Sequence, residues 1–87
     1  MDADVINAIS FIRSSKRRTD VFMAIGKGMT MPSEIAKSTS MRVNHVSANL
    51  SDLKDHGLVI CLNEDATKGR LYSLTDFGER IKDMLGV

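Results

Sequence analysis

The chain has little cysteine and histidine, which restricts the chemistry that it can support. Cys61 is the single cysteine of the 87 residues, and His45 and His56 are the two histidines. One cysteine cannot form an intrachain disulfide, and a metal site with soft ligands needs three or four converging side chains. The two histidines lie eleven positions apart on one predicted helix. We therefore expect no metal and no other cofactor, and interpret Cys61 as a small structural hydrophobe.

Long apolar runs are lacking as well. No stretch approaches the roughly 20 residues that cross a bilayer. The N-terminus does not show the basic-then-apolar pattern of a secretion signal. We therefore expect a cytoplasmic protein without a membrane partner.

Patterns typical of catalysis are also missing. The sequence contains no nucleophile–base pair and no pair of carboxylates at a spacing typical of catalysis. It also contains no glycine-rich loop that could bind a phosphate. The segment Gly26-Lys27-Gly28 is too short for such a loop. The chain is therefore not expected to be an enzyme.

A strong charge of one sign is absent, although the charge is unevenly distributed. The formal net charge is +1, whereas a nucleic-acid-binding domain is often strongly basic. Residues 1–49 hold seven Lys or Arg against four Asp or Glu, and residues 50–87 hold five against seven. Any attraction to nucleic acid would therefore depend on local patches.

The order of predicted elements is α-α-α-α-β-β-α, a mainly α fold with a small β-hairpin. The length predicts a single domain over residues 1–87. Apolar residues recur at helical spacing, and Gly57 and Gly69 fall where a helix and a turn are expected to end. The pattern places a helix-turn-helix unit at about 32–56, a wing hairpin at about 58–74 and a C-terminal helix at about 75–85.

The fourth predicted helix has two different faces. Val46, Leu50 and Leu53 recur at helical spacing and predict a buried seam. The opposite face carries short side chains that could approach base edges closely: Asn44, His45, Ser47, Ala48 and Ser51. Asn can pair bidentately with adenine, and Ser and His offer adaptable hydrogen bonds. The alternative is an ordinary solvated helix face.

Cations flank this helix and the hairpin. Arg42 at the helix start suits a phosphate or a guanine edge. Lys68 and Arg70, around Gly69 in the hairpin loop, suit phosphates or the minor groove. A solvated hairpin remains the alternative. Further basic residues, Arg17 and Arg18 among them, lie between the first two helices. They could contact phosphate or a protein partner, or form a solvated helix start. Lys54 is expected to be solvated.

Two motifs resemble those of winged helix-turn-helix transcription regulators, in particular the small archaeal and bacterial ArsR-like and MarR-like proteins. Residues 44–59 resemble a recognition helix that ends in the pattern L-x-x-L-x-x-x-G-L-V. Residues 68–78 resemble the wing strand and closing helix, with the pattern K-G-R-x-Y-x-L-T-x-x-G. The chain lacks the paired cysteines of metal-sensing members, has Arg42 in place of a small cap, and has Ser40 in place of the usual turn glycine.

The resemblance implies a homodimer that binds double-stranded DNA, with paired terminal helices and two recognition helices in successive major grooves. On this hypothesis Ile6, Ile9, Met84 and Leu85 would help to join the protomers. No small-molecule effector can be inferred. The alternative hypothesis is a winged-helix module that binds another protein and has no specific affinity for DNA.

Overall fold

The computed structural model describes residues 2–86 and confirms the predicted order of elements. The two end residues of the predicted 1–87 domain lie outside this range. Five helices and two strands follow one another as α1 Ala3–Arg13, α2 Lys16–Ala24, α3 Pro32–Thr39, α4 Val43–Asp55, β1 Val59–Cys61, β2 Tyr72–Leu74 and α5 Asp76–Leu85. No helix within the described range is long and apolar enough to span a membrane.

Side-chain caps define the starts of three helices. Asp2 Oδ1 accepts a hydrogen bond from the Asp4 amide at 2.9 Å at the start of α1, and Ser15 and Thr75 cap α2 and α5 in the same way. Capping satisfies backbone donors that have no partner within the helix. Helix α3 has no such cap, and Glu34 instead accepts from the Met31 amide at 3.1 Å.

The hydrophobic core forms where the helices pack against one another and against the hairpin. Val46, Leu50 and Leu53 on α4 are fully buried, as the helical spacing predicted. Helix α4 packs against both α2 and α3, and α1 packs against α2 and α5. The core cluster extends from Val5 on α1 to Ile81 on α5. Burial of one face of α4 leaves its opposite face at the surface.

The hairpin is antiparallel, with Val59 paired to Leu74 and Cys61 to Tyr72. Thr30 adds a bridge on the other side of Tyr72, with two backbone hydrogen bonds of 2.8 and 2.9 Å. The two strands occupy only the ends of the predicted 58–74 hairpin. Beyond them, the Leu62 amide donates to the Leu71 carbonyl at 2.7 Å, and the Leu71 amide donates to the side chain of Asn63. This small sheet joins the wing to the segment that precedes α3.

Candidate nucleic-acid interface

The outward face of α4 presents short polar side chains. Asn44, His45, Ala48 and Ser51 are exposed and Ser47 is half-buried. The same helix buries its apolar seam completely, so these side chains project from a fixed scaffold. Their placement agrees with the face predicted from the sequence.

A cleft of about 490 Å³ lies between α4 and the wing. Ser47, Ser51 and Lys54 line it from α4, and Lys68 and Arg70 line it from the wing. The start of α3 contributes its remaining side. The fold thus brings Ser47 together with Lys68 and Arg70, two predicted site residues that lie more than twenty positions further along the sequence. Asn44, His45 and Ala48 lie on the same helix but do not line the cleft.

The wing loop, residues 62–71, is closed by one asparagine side chain. Asn63 Oδ1 accepts from the Leu71 amide at 2.7 Å, and Asn63 Nδ2 donates to the Gly69 carbonyl at 3.1 Å. Gly69 has a φ of +66°, a conformation that costs other residues free energy. These contacts order the loop and place Lys68 and Arg70 at the cleft.

Arg70 is exposed, yet part of its guanidinium group stabilises its own loop. Arg70 Nε donates to the Ala66 carbonyl at 2.8 Å, and Arg70 Nη2 donates to the Glu64 carbonyl at 3.2 Å. A guanidinium group has five N–H donors. Arg70 can therefore hold the loop and still direct its remaining donors toward an anion.

Arg42 occupies the N-cap position of α4 and is exposed. Its side chain makes no capping hydrogen bond, whereas Ser, Thr, Asp or Asn at this position would satisfy a backbone donor. The helix start therefore combines a free cationic side chain with uncapped backbone N–H groups, an arrangement that favours anions.

Lys54 forms an ion pair, so the expectation that its side chain is only solvated was wrong. Its ammonium group forms an ion pair with the carboxylate of Glu64 in the wing loop. The hydrogen bond to Lys54 lowers the pKa of Glu64 below its ordinary value of 4.5, and the same bond raises the pKa of Lys54. Sequence reasoning missed the pair because its members are ten positions apart and lie on either side of β1.

Arg18 is turned toward the protein, which argues against the phosphate contact predicted for it. Its Nη1 donates to the Phe11 carbonyl at 2.7 Å and to Ser14 Oγ at 2.8 Å. The guanidinium carbon lies 3.9 Å from the centre of the Phe11 ring. His56 stacks on the same ring at 3.6 Å, so Arg18 and His56 must occupy its opposite faces. Arg17 is exposed and remains a candidate.

The four residues predicted for a dimer interface differ in exposure. Ile6 on α1 is 48% exposed and Met84 on α5 is 39% exposed. Ile9 and Leu85 are half-buried against the core. Since α1 and α5 are in contact, the exposed side chains lie on adjoining helices.

Metal ligands do not converge in the part of the chain that the structure describes. No group of three or more His, Cys, Asp or Glu side chains is arranged to hold an ion among residues 2–86. Cys61 is a half-buried free thiol whose Sγ donates a hydrogen bond to Asn63 Oδ1 at 3.8 Å.

Comparison with solved structures identifies the architecture. TubR bound to 24 bp of tubC from Bacillus thuringiensis serovar israelensis pBtoxis is similar, with a TM-score of 0.80, 15% identity and coverage of 99% of this chain and 96% of that one. A possible transcriptional regulatory protein from Mycobacterium bovis (fragment 1–100) has a TM-score of 0.71 and 23% identity, covering 95% of this chain and 88% of that one. No protein-family model and no curated protein matches the sequence. At these identities the likenesses show the fold alone, and that fold is a winged helix-turn-helix.

Proposed function

We propose that this protein binds double-stranded DNA as a homodimer and regulates transcription. The observation that carries the proposal is the arrangement of one cleft, in which two serines on the polar face of α4, Ser47 and Ser51, lie across from wing cations. A helix with small polar side chains fits the major groove, and a cationic loop beside it fits backbone or the minor groove. A similar fold in a protein solved with 24 bp of DNA supports this reading.

The side chains would divide into base readers and backbone contacts. Asn44, His45 and Ser47 would face base edges, and Ala48 would leave room for close approach. The backbone contacts would come from cations on three elements: Arg42, Lys68, Arg70 and Arg17. Backbone contacts set orientation and most of the affinity, whereas base contacts set sequence preference.

The homodimer would form through α1 and α5. Ile6 and Met84, which are exposed on these adjoining helices, would contribute apolar contacts between the protomers, and half-buried Ile9 and Leu85 would add to them. A two-fold interface presents the same patch from both protomers. DNA affinity would then depend on protein concentration, because the dimer is the species that binds two half-sites.

A protein-binding module is the second candidate. The net charge of +1 and the acidic excess in residues 50–87 favour it, because such a surface attracts polyanions weakly beyond the local cleft. The two candidates differ in their dependence on salt. Binding to DNA releases counterions and weakens steeply with salt, with a slope of about −0.9 in log K per phosphate contact.

The test is a titration of labelled random duplex DNA at several salt concentrations. We expect micromolar binding at low salt with a steep negative slope. Lys68→Ala should weaken binding on all sequences and reduce the slope by about 0.9, whereas Lys27→Ala, at an exposed lysine outside the cleft, should leave both unchanged. Asn44→Ala should change the sequences selected from a random pool. Absence of binding at micromolar protein and low salt would contradict the proposal.

A further inference from the structure

Cationic side chains line the cleft between α4 and the wing, and one acidic residue of the wing loop, Glu64, contacts two of them. Lys54, Lys68 and Arg70 line the cleft, and none of its lining residues within the described chain is acidic. The carboxylate of Glu64 pairs with Lys54. The backbone carbonyl of Glu64 accepts a hydrogen bond from Arg70 at 3.2 Å. Glu64 therefore contacts two of the cleft cations, one through its side chain and one through its backbone.

Lys54 extends the face of α4 that is proposed to meet DNA. Ser47, Ser51 and Lys54 are spaced four and three positions apart, so they lie on the same side of the helix, and all three line the cleft. The Lys54 side chain remains 42% exposed and that of Glu64 remains 56% exposed. An anion that enters the cleft can therefore reach the ammonium group without disturbing the core.

The ion pair is weak enough to be exchanged. An exposed pair of this kind contributes little, about twofold to fivefold in an equilibrium constant. A DNA duplex presents closely spaced phosphates. The affinity of a protein for the duplex rises with each cationic side chain that replaces a condensed counterion. A phosphate near the cleft therefore competes well against one flexible carboxylate.

We propose that Glu64 is an internal competitor of DNA. Its carboxylate holds Lys54 in the free protein, and a backbone phosphate displaces it when a duplex enters the cleft. The inference rests on the proposed DNA binding and adds a regulatory contact to the same site. Glu64 then lowers the affinity for DNA, because its ion pair with Lys54 must break before the phosphate can bind.

The experiment compares Glu64→Gln with Asp65→Asn in the full chain. Both variants remove one negative charge from the same loop, but Asp65 belongs to neither ion pair found among the described residues. We expect Glu64→Gln to bind random duplex DNA about twofold to fivefold more tightly than Asp65→Asn. Because a phosphate contacts Lys54 in both complexes, the salt slopes of the two variants should be equal. A slope steeper by about 0.9 for Glu64→Gln would mean that Glu64 keeps Lys54 paired when its carboxylate is present, which would overturn the displacement.

The variants Lys54→Gln and Lys54→Gln/Glu64→Gln complete the test. Lys54→Gln should abolish the advantage of Glu64→Gln, because no cation is left to release. Equal affinities for Glu64→Gln and Asp65→Asn would overturn the inference. Weaker binding by Glu64→Gln would also overturn it, because it would mean that the pair only positions the wing. These results leave the proposed function standing, whereas failure of the unaltered protein to bind duplex DNA removes both. Thermal unfolding of each variant verifies that the fold is retained.

Discussion

Gly78 packs so closely against Leu58 that a Cβ atom at Gly78 would lie 2.0 Å from the Leu58 carbonyl oxygen. That oxygen also accepts a hydrogen bond from the Thr75 amide at 3.1 Å. Gly78 is buried in the first turn of α5, and Leu58 leads into β1. The contact fixes how α5 leaves the wing hairpin, and hence how the proposed dimer helix is oriented relative to the cleft.

Gly78→Ala should destabilise the protein by about 3 kcal/mol, because overpacking against rigid backbone forces α5 away from the hairpin. Gly26→Ala is the matched control, since a Cβ atom there would meet nothing within 4 Å and its free energy of unfolding should change by less than about 0.5 kcal/mol. Denaturant unfolding of both variants measures the difference. Equal stability of the two variants would contradict the packing described.

Arg18→Met should lower the free energy of unfolding by about 1–3 kcal/mol, because it removes the hydrogen bonds to Phe11 and Ser14 and the cation over the aromatic ring. Arg17→Met, at an exposed neighbour, should change stability by less than about 0.5 kcal/mol. The inward placement of Arg18 also predicts unaltered DNA affinity for folded Arg18→Met. A marked loss of DNA affinity with unchanged stability would restore Arg18 as a phosphate contact.

Arg42→Ser should change the stability of the protein and its affinity for DNA in opposite directions. A serine at the N-cap of α4 can accept a backbone hydrogen bond that Arg42 does not make, and such caps contribute about 1 kcal/mol. The variant should therefore be more stable and yet bind DNA more weakly. Arg42→Ala should lose the same DNA affinity without the gain in stability, and stronger DNA binding by either variant would contradict the role proposed for Arg42.

The pKa of Glu64 should report the state of its pair with Lys54. The ammonium group lowers this pKa below 4.5 through a hydrogen bond and then through its charge. The pair's small stabilising effect is therefore fully present above pH 4.5 and is lost as the pH falls through the lowered pKa of the folded protein. A carboxyl NMR titration should show the pKa of Glu64 rising in Lys54→Gln and remaining unchanged in Lys27→Gln. An unchanged value in Lys54→Gln would contradict the pair.

Local patterns were sufficient to predict the fold. The spacing of Val46, Leu50 and Leu53 specifies one buried face, and all three are fully buried. Ser40 was recognised as a departure from the usual turn glycine, and it adopts the left-handed conformation with a φ of +58°. Helix periodicity and turn position are local properties, so a sequence can reveal them.

The contacts around the candidate site depend on the assembled fold and were less predictable. Arg18 turns inward because α1 presents Phe11 beside it, although the run of basic residues suggested exposure. Lys54 meets Glu64 only when the wing folds back toward α4. The spacing of charges along a sequence does not specify such pairs, because their distance is set by packing between elements.

Chemical-shift mapping on a DNA duplex selected from a random pool tests the central claim most directly. Two-dimensional amide spectra recorded with and without the duplex should change most at Asn44–Ala48 and Lys68–Arg70. Changes on α1 and α5 should be small once the protein concentration is high enough to keep its oligomeric state constant. Changes confined to α1 and α5, or spectra of α4 and the wing unaffected by saturating duplex, would contradict the claim that the outward face of α4 and the wing receive DNA.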